Sequence, residues 1–449
     1  MPIRSIYILI VCCAVSGFPL PLWAHPVLTF FVASHVEPAP GHADKPTDET
    51  FPLVVTLGHR FFSTEAKDVR TIYDFERYRI LRVNLRAKTF EDDSLYSDVG
   101  FRVLEFYNRM QLGNALRSAN IKSPVSPEAL QHFDVALVEN LFSLADDKSR
   151  TVVDARKVKG ATEYHWQQYT LMTVGDRTKP IPTEYQTEYW RFFRYYAGGH
   201  PRILESLASA KGVPERSIIV LSNFKAETRT LTLQSIATPP DAPYSLDGFT
   251  LAQPDREPYS TLKLIGADAP HELQLRVETA LKDRDSAFAQ GKYLDAFLAN
   301  QEAALSTGES TIDWLRSARD KLNADPEVMR VAAALGKHDA GQAPRLADEL
   351  ASVRALAPAH VEVLEIFEGN TRLEFGEAQG LGLLLSAARA DPYLTGVWRD
   401  LGDHYYRSFH MAEAWACLDA ARRIAPNHPM LKPADDMERA LRAKNPEYF

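Results

Sequence analysis

The chain holds 13 histidines, and these are the first residues to test for chemistry. None of them forms an HxH or HxxxH pair, and HExxH, GxSxG, a paired CxxC and a P-loop are all missing. The spacings that hold a metal, arm a nucleophile or cradle a phosphate are therefore absent, and neither cofactor nor metal is expected. A site can still be assembled from distant segments. Gly58-His59-Arg60 follows the apolar run FPLVVTL, and a polar group at a strand end is a usual place for a site. Gly198-Gly199-His200 is a second such place. His59 could serve as a general base with Asp68 or Glu76 beside it, although histidines of this kind are more often structural. A chain cut just before His25 would start with an amine and an imidazole that can chelate copper, with His35 or His59 completing the set; an incidental histidine is the simpler expectation. The aromatic run from Tyr185 to Tyr196 could stack a sugar, but Tyr185, Tyr189, Phe192, Phe193 and Tyr196 fall at helical spacing and predict a buried stripe. Tyr195 and Trp190 lie off that stripe and are the ones expected to be exposed. Glu105 and Arg109, four apart, predict a surface ion pair worth about 0.3–0.5 kcal/mol.

The elements that must position these residues come from a chain of 449 residues, 45% hydrophobic and 24% charged. That composition is ordinary for a globular protein and excludes a largely disordered one. The net charge of -8 speaks against a nucleic-acid partner. Residues 1–24 have the layout of a signal peptide: Arg4, an apolar stretch from Ile6 to Val15, then Pro19 and Pro21. Cleavage is expected after Ala24, with Gly17 as the competing position. Beyond residue 24 no apolar run approaches the roughly 18 residues of a membrane span. Of three cysteines, Cys12 and Cys13 would leave with the signal, so Cys417 remains without a disulfide partner. A periplasmic or secreted location is expected.

Residues 25–237 read as an α+β domain. Strands are expected at 27–36, 51–57, within 71–85, at 217–221 and at 228–237. Residues 150–175 read as two strands around Lys159-Gly160. Helices are expected over 95–119, from Ser126 to Leu144, from Thr183 to Gly198 and from Pro201 to Lys211. Residues 238–270 carry six prolines and read as a strap or linker, and 271–449 is helical throughout.

Within that helical part, Pro358, Pro392 and Pro426 are 34 residues apart, each ending an alanine-rich amphipathic run. A proline stops a helix, and a 34-residue period is that of stacked helix–turn–helix units. The last unit, 395–428, has Trp398, Leu401, Gly402 and Tyr405 at W-x2-L-G-x2-Y spacing, then Ala414, Leu418, Ala421 and Pro426. The unit 361–394 keeps Leu364, Phe367, Ala387 and Pro392 but has Glu368 and Gly380 where a small residue and alanine are usual. Units at 327–360 and 277–310 are fainter. These residues resemble the tetratricopeptide repeat (TPR) family. The resemblance implies a helical solenoid whose first helices line a concave face that takes a peptide or protein partner. On the last unit that face falls on Arg399, Asp403, Tyr406 and Arg407, and on the preceding unit on Glu362, Glu365 and Arg372. The expected function is that of an exported interaction or scaffold protein. The alternative is an exported hydrolase with its site in 25–237 and the repeats as a docking arm.

Overall fold

Period-two patterning builds the first half. In β1 (Val27–Val36), Leu28, Phe30 and Val32 point inward, and in β2 (Thr47–Gly58), Leu53, Val55 and Leu57 do the same. The two strands are antiparallel with Phe30 opposite Leu53, so the buried rows coincide. The computed structural model describes residues 25–38, 45–118, 153–196, 198, 200–208, 212–223, 225–239, 244–308, 311–336 and 343–449. The expected signal peptide and the helix expected from Ser126 to Leu144 lie outside the described residues.

The meander continues through β3 (Phe61–Ala66), β4 (Val69–Asp74), β5 (Arg79–Asn84) and β6 (Thr89–Ser94), and leads into helix α1 (Leu95–Ser118). Next come β7 (Asp154–Val158), β8 (Ala161–Trp166) and β9 (Tyr169–Gly175). Three strands stand where two were expected, because Gln167 takes a left-handed φ of 54° and reverses the chain a second time. A short β10 (Thr178–Lys179) precedes helices α2 (Gln186–Tyr196) and α3 (Pro201–Ala208). Then follow β11 (Val213–Pro214), which pairs with β10, and the long hairpin β12 (Arg216–Asn223) and β13 (Lys225–Ala237). Among the described residues the main sheet has 12 strands, in the order β14 (Thr250–Leu251), β6, β5, β4, β3, β2, β1, β13, β12, β9, β8, β7. Strand β13 inserts beside β1 and so joins the two meanders. The strap supplies β14 (Thr250–Leu251), which runs parallel to β6 at the sheet's edge, and one turn of helix, α4 (Tyr259–Leu262).

The rest is helical: α5 (Ala269–Ala289), α6 (Tyr293–Thr307), α7 (Ile312–Ala324), α8 (Pro326–Ala334), α9 (Ala343–Arg354), α10 (Val361–Glu374), α11 (Gln379–Ala390), α12 (Thr395–Arg407), α13 (Met411–Ile424) and α14 (Lys432–Lys444). The molecule is thus α+β, a large sheet region followed by a helical region. Pairs α5/α6, α10/α11 and α12/α13 pack as hairpins. The starts of α10 and α12 are 34 residues apart. Trp398 is fully buried, and its Nε1 donates to the Pro392 carbonyl at 2.8 Å, so the repeat's tryptophan and proline hold each other. Gly402 lies where an added Cβ would come within 3.0 Å of Leu418, and Ala414 and Ala421 are fully buried beside it. Helix α6 does not stay beside α5 alone. It also crosses α10 and α12, with Gly396 against Leu305 and His428 Nε2 3.2 Å from the Leu305 carbonyl.

The sheet shares a core with α1, α2, α5 and the last helices. Helix α1 lies against α13 and α14, with Trp415 over Gly100. Arg79 on β5 reaches Asp419 on α13 at 2.6 Å, and Arg389 on α11 reaches Glu257 of the strap at 2.5 Å. Tyr195 on α2 donates its hydroxyl to the Tyr448 carbonyl at 2.8 Å. This last contact overturns one expectation: Tyr195 and Trp190 are buried, 7% and 8% exposed. Tyr195 is closed off by Tyr448 near the chain's end, and Trp190 packs on Tyr189 and Phe193 beside Tyr164, Val174 and Leu207.

Candidate functional site

An antiparallel meander returns every second turn to the same end of the sheet. The β2–β3 turn (His59, Arg60), the β4–β5 turn (Glu76, Arg77) and the start of β1 (His25) therefore meet. Together with Phe61, Asp74 and Tyr244 they line a cleft of about 660 Å³. Arg60 holds a left-handed φ of 58°, which turns the chain between the strands, and its guanidinium donates to the Phe75 carbonyl at 3.0 Å. Asp74 is buried and held: its Oδ1 accepts from the Glu76 and Arg77 amides, both at 2.9 Å, and its Oδ2 accepts from the Tyr244 hydroxyl. Burial, and then the Asp74 carboxylate, push the Tyr244 hydroxyl well above the usual phenol range. His25 is buried between Phe61 and Tyr185, with Nδ1 3.3 Å from the Tyr185 hydroxyl.

One turn beyond Tyr185 stands Glu188, 6% exposed. Burial raises its carboxyl, opposed by Arg191, His59 and the Arg60 backbone. A buried carboxylate near an open imidazole is an acid–base arrangement. Glu188 escaped the sequence reading because it sits inside an aromatic helix pattern, and only the approach of α2 to β3 brings it near His59. Of the partners foreseen for His59, Glu76 shares its cleft, whereas Asp68 belongs to the β3–β4 turn at the opposite end of the sheet. His35, at the other end of β1 from His25, is paired with Asp48 at 2.7 Å and Glu37 at 3.0 Å. His200 is also remote: it is buried at the start of α3.

A second concave feature lies on the helical half. The end of α8 and the face of α10 bound a trough of about 520 Å³, lined by Ala334, Leu335, Gly336, Phe367, Asn370, Thr371 and Glu374. Asn370 Nδ2 donates to Asp400 on α12 at 2.6 Å, so the first helices of the last two hairpins, α10 and α12, adjoin along this side. The predicted contact residues divide. Arg407 is exposed, Asp403 is half-exposed, and Arg399 joins Asp400 and Asp403 at 2.9 and 2.8 Å. Tyr406 is half-buried on Trp415. Arg372 is taken up by Glu368 at 2.8 Å and Glu377 at 2.6 Å, and Glu365 accepts from Ser386 at 3.1 Å. These two therefore serve the joints between α9, α10 and α11, where Glu368, buried between Arg354 and Arg372, is the pivot.

No family model and no curated protein matches this chain. Among solved structures it is similar to one titled "Lipid-protein interactions in lipovitellin", at 11% identity and a TM-score of 0.19. The match covers 92% of this chain and 54% of the other, so the chain spans about half of that structure's length. A similarity at that score carries no argument about fold or ligand.

Proposed function

We propose that this chain is an exported interaction protein, with residues 1–24 as its signal peptide and its mature form periplasmic or secreted. Its C-terminal part works as a TPR-like array that holds a peptide or protein partner along the side formed by α8, α10 and α12. One observation carries this reading: the first helices of the last two hairpins, α10 and α12, adjoin, and a trough of about 520 Å³ lies between the end of α8 and α10. Its apolar floor (Ala334, Leu335, Phe367) and polar wall (Asn370, Thr371, Glu374) suit an extended peptide. A photo-crosslinking residue placed at Glu374 or Arg407 in the full chain is expected to capture the same partner. The same probe at Val158, exposed on edge strand β7, is expected to capture nothing. Equal capture at all three positions, or none at the trough, refutes the reading.

A second reading has its own support. His59 and Glu76 open into the same cleft, with Glu188 near His59. On this reading the sheet region is a hydrolase, His59 is its general base and the helical array is a docking arm. The full chain would then turn over some member of a panel of chromogenic esters, phosphoesters and peptides. His59→Ala and Glu76→Gln would each lower the rate about a hundredfold. Turnover that neither substitution changes excludes it.

A further inference from the structure

Where α6 crosses the start of α10, chemistry collects that neither reading uses. His360 precedes α10 with a left-handed φ of 58°, and its ring faces back to Glu302 on α6. Glu362, two residues on, brings Oε1 within 3.9 Å of the same Nδ1. Glu302, His360 and Glu362 each offer one ligand atom, and all of these atoms lie within 4.8 Å of one another. Glu302 is 7% exposed, and the His360 and Glu362 side chains are 14% and 16% exposed. On the far side of the ring, Nε2 faces Asp283 on α5 at 3.9 Å.

This group differs from a solvated acidic patch in its donor set, which is mixed: one imidazole nitrogen and two carboxylates, on three side chains that are all mostly buried. A third carboxylate, Asp283, stands 3.9 Å from the opposite ring nitrogen, on the side from which an outer carboxylate orients a metal-binding histidine.

We infer that Glu302, His360 and Glu362 form a site for a first-row divalent cation, of which Zn²⁺ fits best. Zinc accepts nitrogen and oxygen donors at about 2.0–2.2 Å, which sets neighbouring donors about 3.3 Å apart. The His360–Glu302 contact is shorter than that, and the His360–Glu362 separation of 3.9 Å is longer. The ion fastens α6 to the start of α10, residues 58 apart in the chain.

Zinc chloride titrated by calorimetry into the metal-stripped full chain is expected to bind one-to-one and to raise Tm as its concentration rises. His360→Gln and Glu362→Gln, each checked for folding by circular dichroism, are expected to weaken binding by at least about tenfold. Absence of stoichiometric binding near neutral pH, or one-to-one binding that both variants retain, overturns the inference. If a variant misfolds, zinc-edge X-ray absorption on the wild-type chain decides. One imidazole with oxygen donors is expected, and a shell with several imidazoles or with sulfur refutes the site.

Discussion

His200 shows what burial does to a single residue. It is 1% exposed, and burial, reinforced by Arg194, lowers its imidazole to about 4. An unfolded histidine titrates near 6.5, so between these values the unfolded chain takes up a proton that the folded chain refuses. The sign follows: this contribution to stability is intact above about pH 6.5, is lost progressively as the pH falls, and is gone below about pH 4. The loss is up to about 3 kcal/mol. Unfolding midpoints of wild type and His200→Gln, followed from neutral pH to about pH 4, are expected to converge or cross as the wild type weakens. A difference that stays constant over that range would contradict the assignment. His59 is exposed at the cleft mouth and His200 is buried, although both follow glycine in the sequence. Residue type did not separate them; burial did.

Among the elements, the α10/α11 hairpin shows why glycine stands at positions 369 and 380. The two helices cross at Gly369 and Gly380, and a Cβ on Gly380 would meet the Gly369 carbonyl at 2.4 Å. Glycine is required at this crossing because the backbones touch. Gly380→Ala is expected to destabilise the protein by about 1–3 kcal/mol through overpacking. Gly382, two residues on in the same helix, faces open space. Gly382→Ala is expected to stabilise by about 0.5–1 kcal/mol through helix propensity alone. Chemical denaturation of the pair tests the crossing, and similar effects at both positions would refute it.

At the scale of the molecule, the sheet, α1, α2, α5 and the last helices are held by one continuous core that runs from Leu28 on β1 to Tyr448 at the chain's end, while α6 to α10 add a second cluster around Leu298, Val331 and Val363. Trp415 over Gly100, Arg79 with Asp419 and Tyr195 with Tyr448 all cross the division that the sequence draws near residue 270. Units coupled through buried surface of this kind unfold together. Scanning calorimetry of the full chain is expected to show one cooperative transition; two well-separated transitions would mean that the halves are independent. The isolated segment 271–449 would bare Trp415 and Leu441, so binding studies belong on the full chain.

By itself, the sequence determined what depends on local period and on the chemistry of proline and glycine. The alternation in β1 and β2, the helical run at 95–118, the 34-residue spacing and the aromatic stripe of α2 were all legible, because the backbone period decides which face each residue shows. Only the tertiary structure decided what meets across long separations. The even spacing of meander turns brought His25, His59 and Glu76 to one end of the sheet. Packing of the C-terminal residues hid Tyr195, and the β8–β9 side of the sheet with α3 hid Trp190. The crossing of α6 over α10 joined Glu302 to His360 across 58 residues. No motif spacing encodes such meetings, since they follow from how buried faces match in three dimensions.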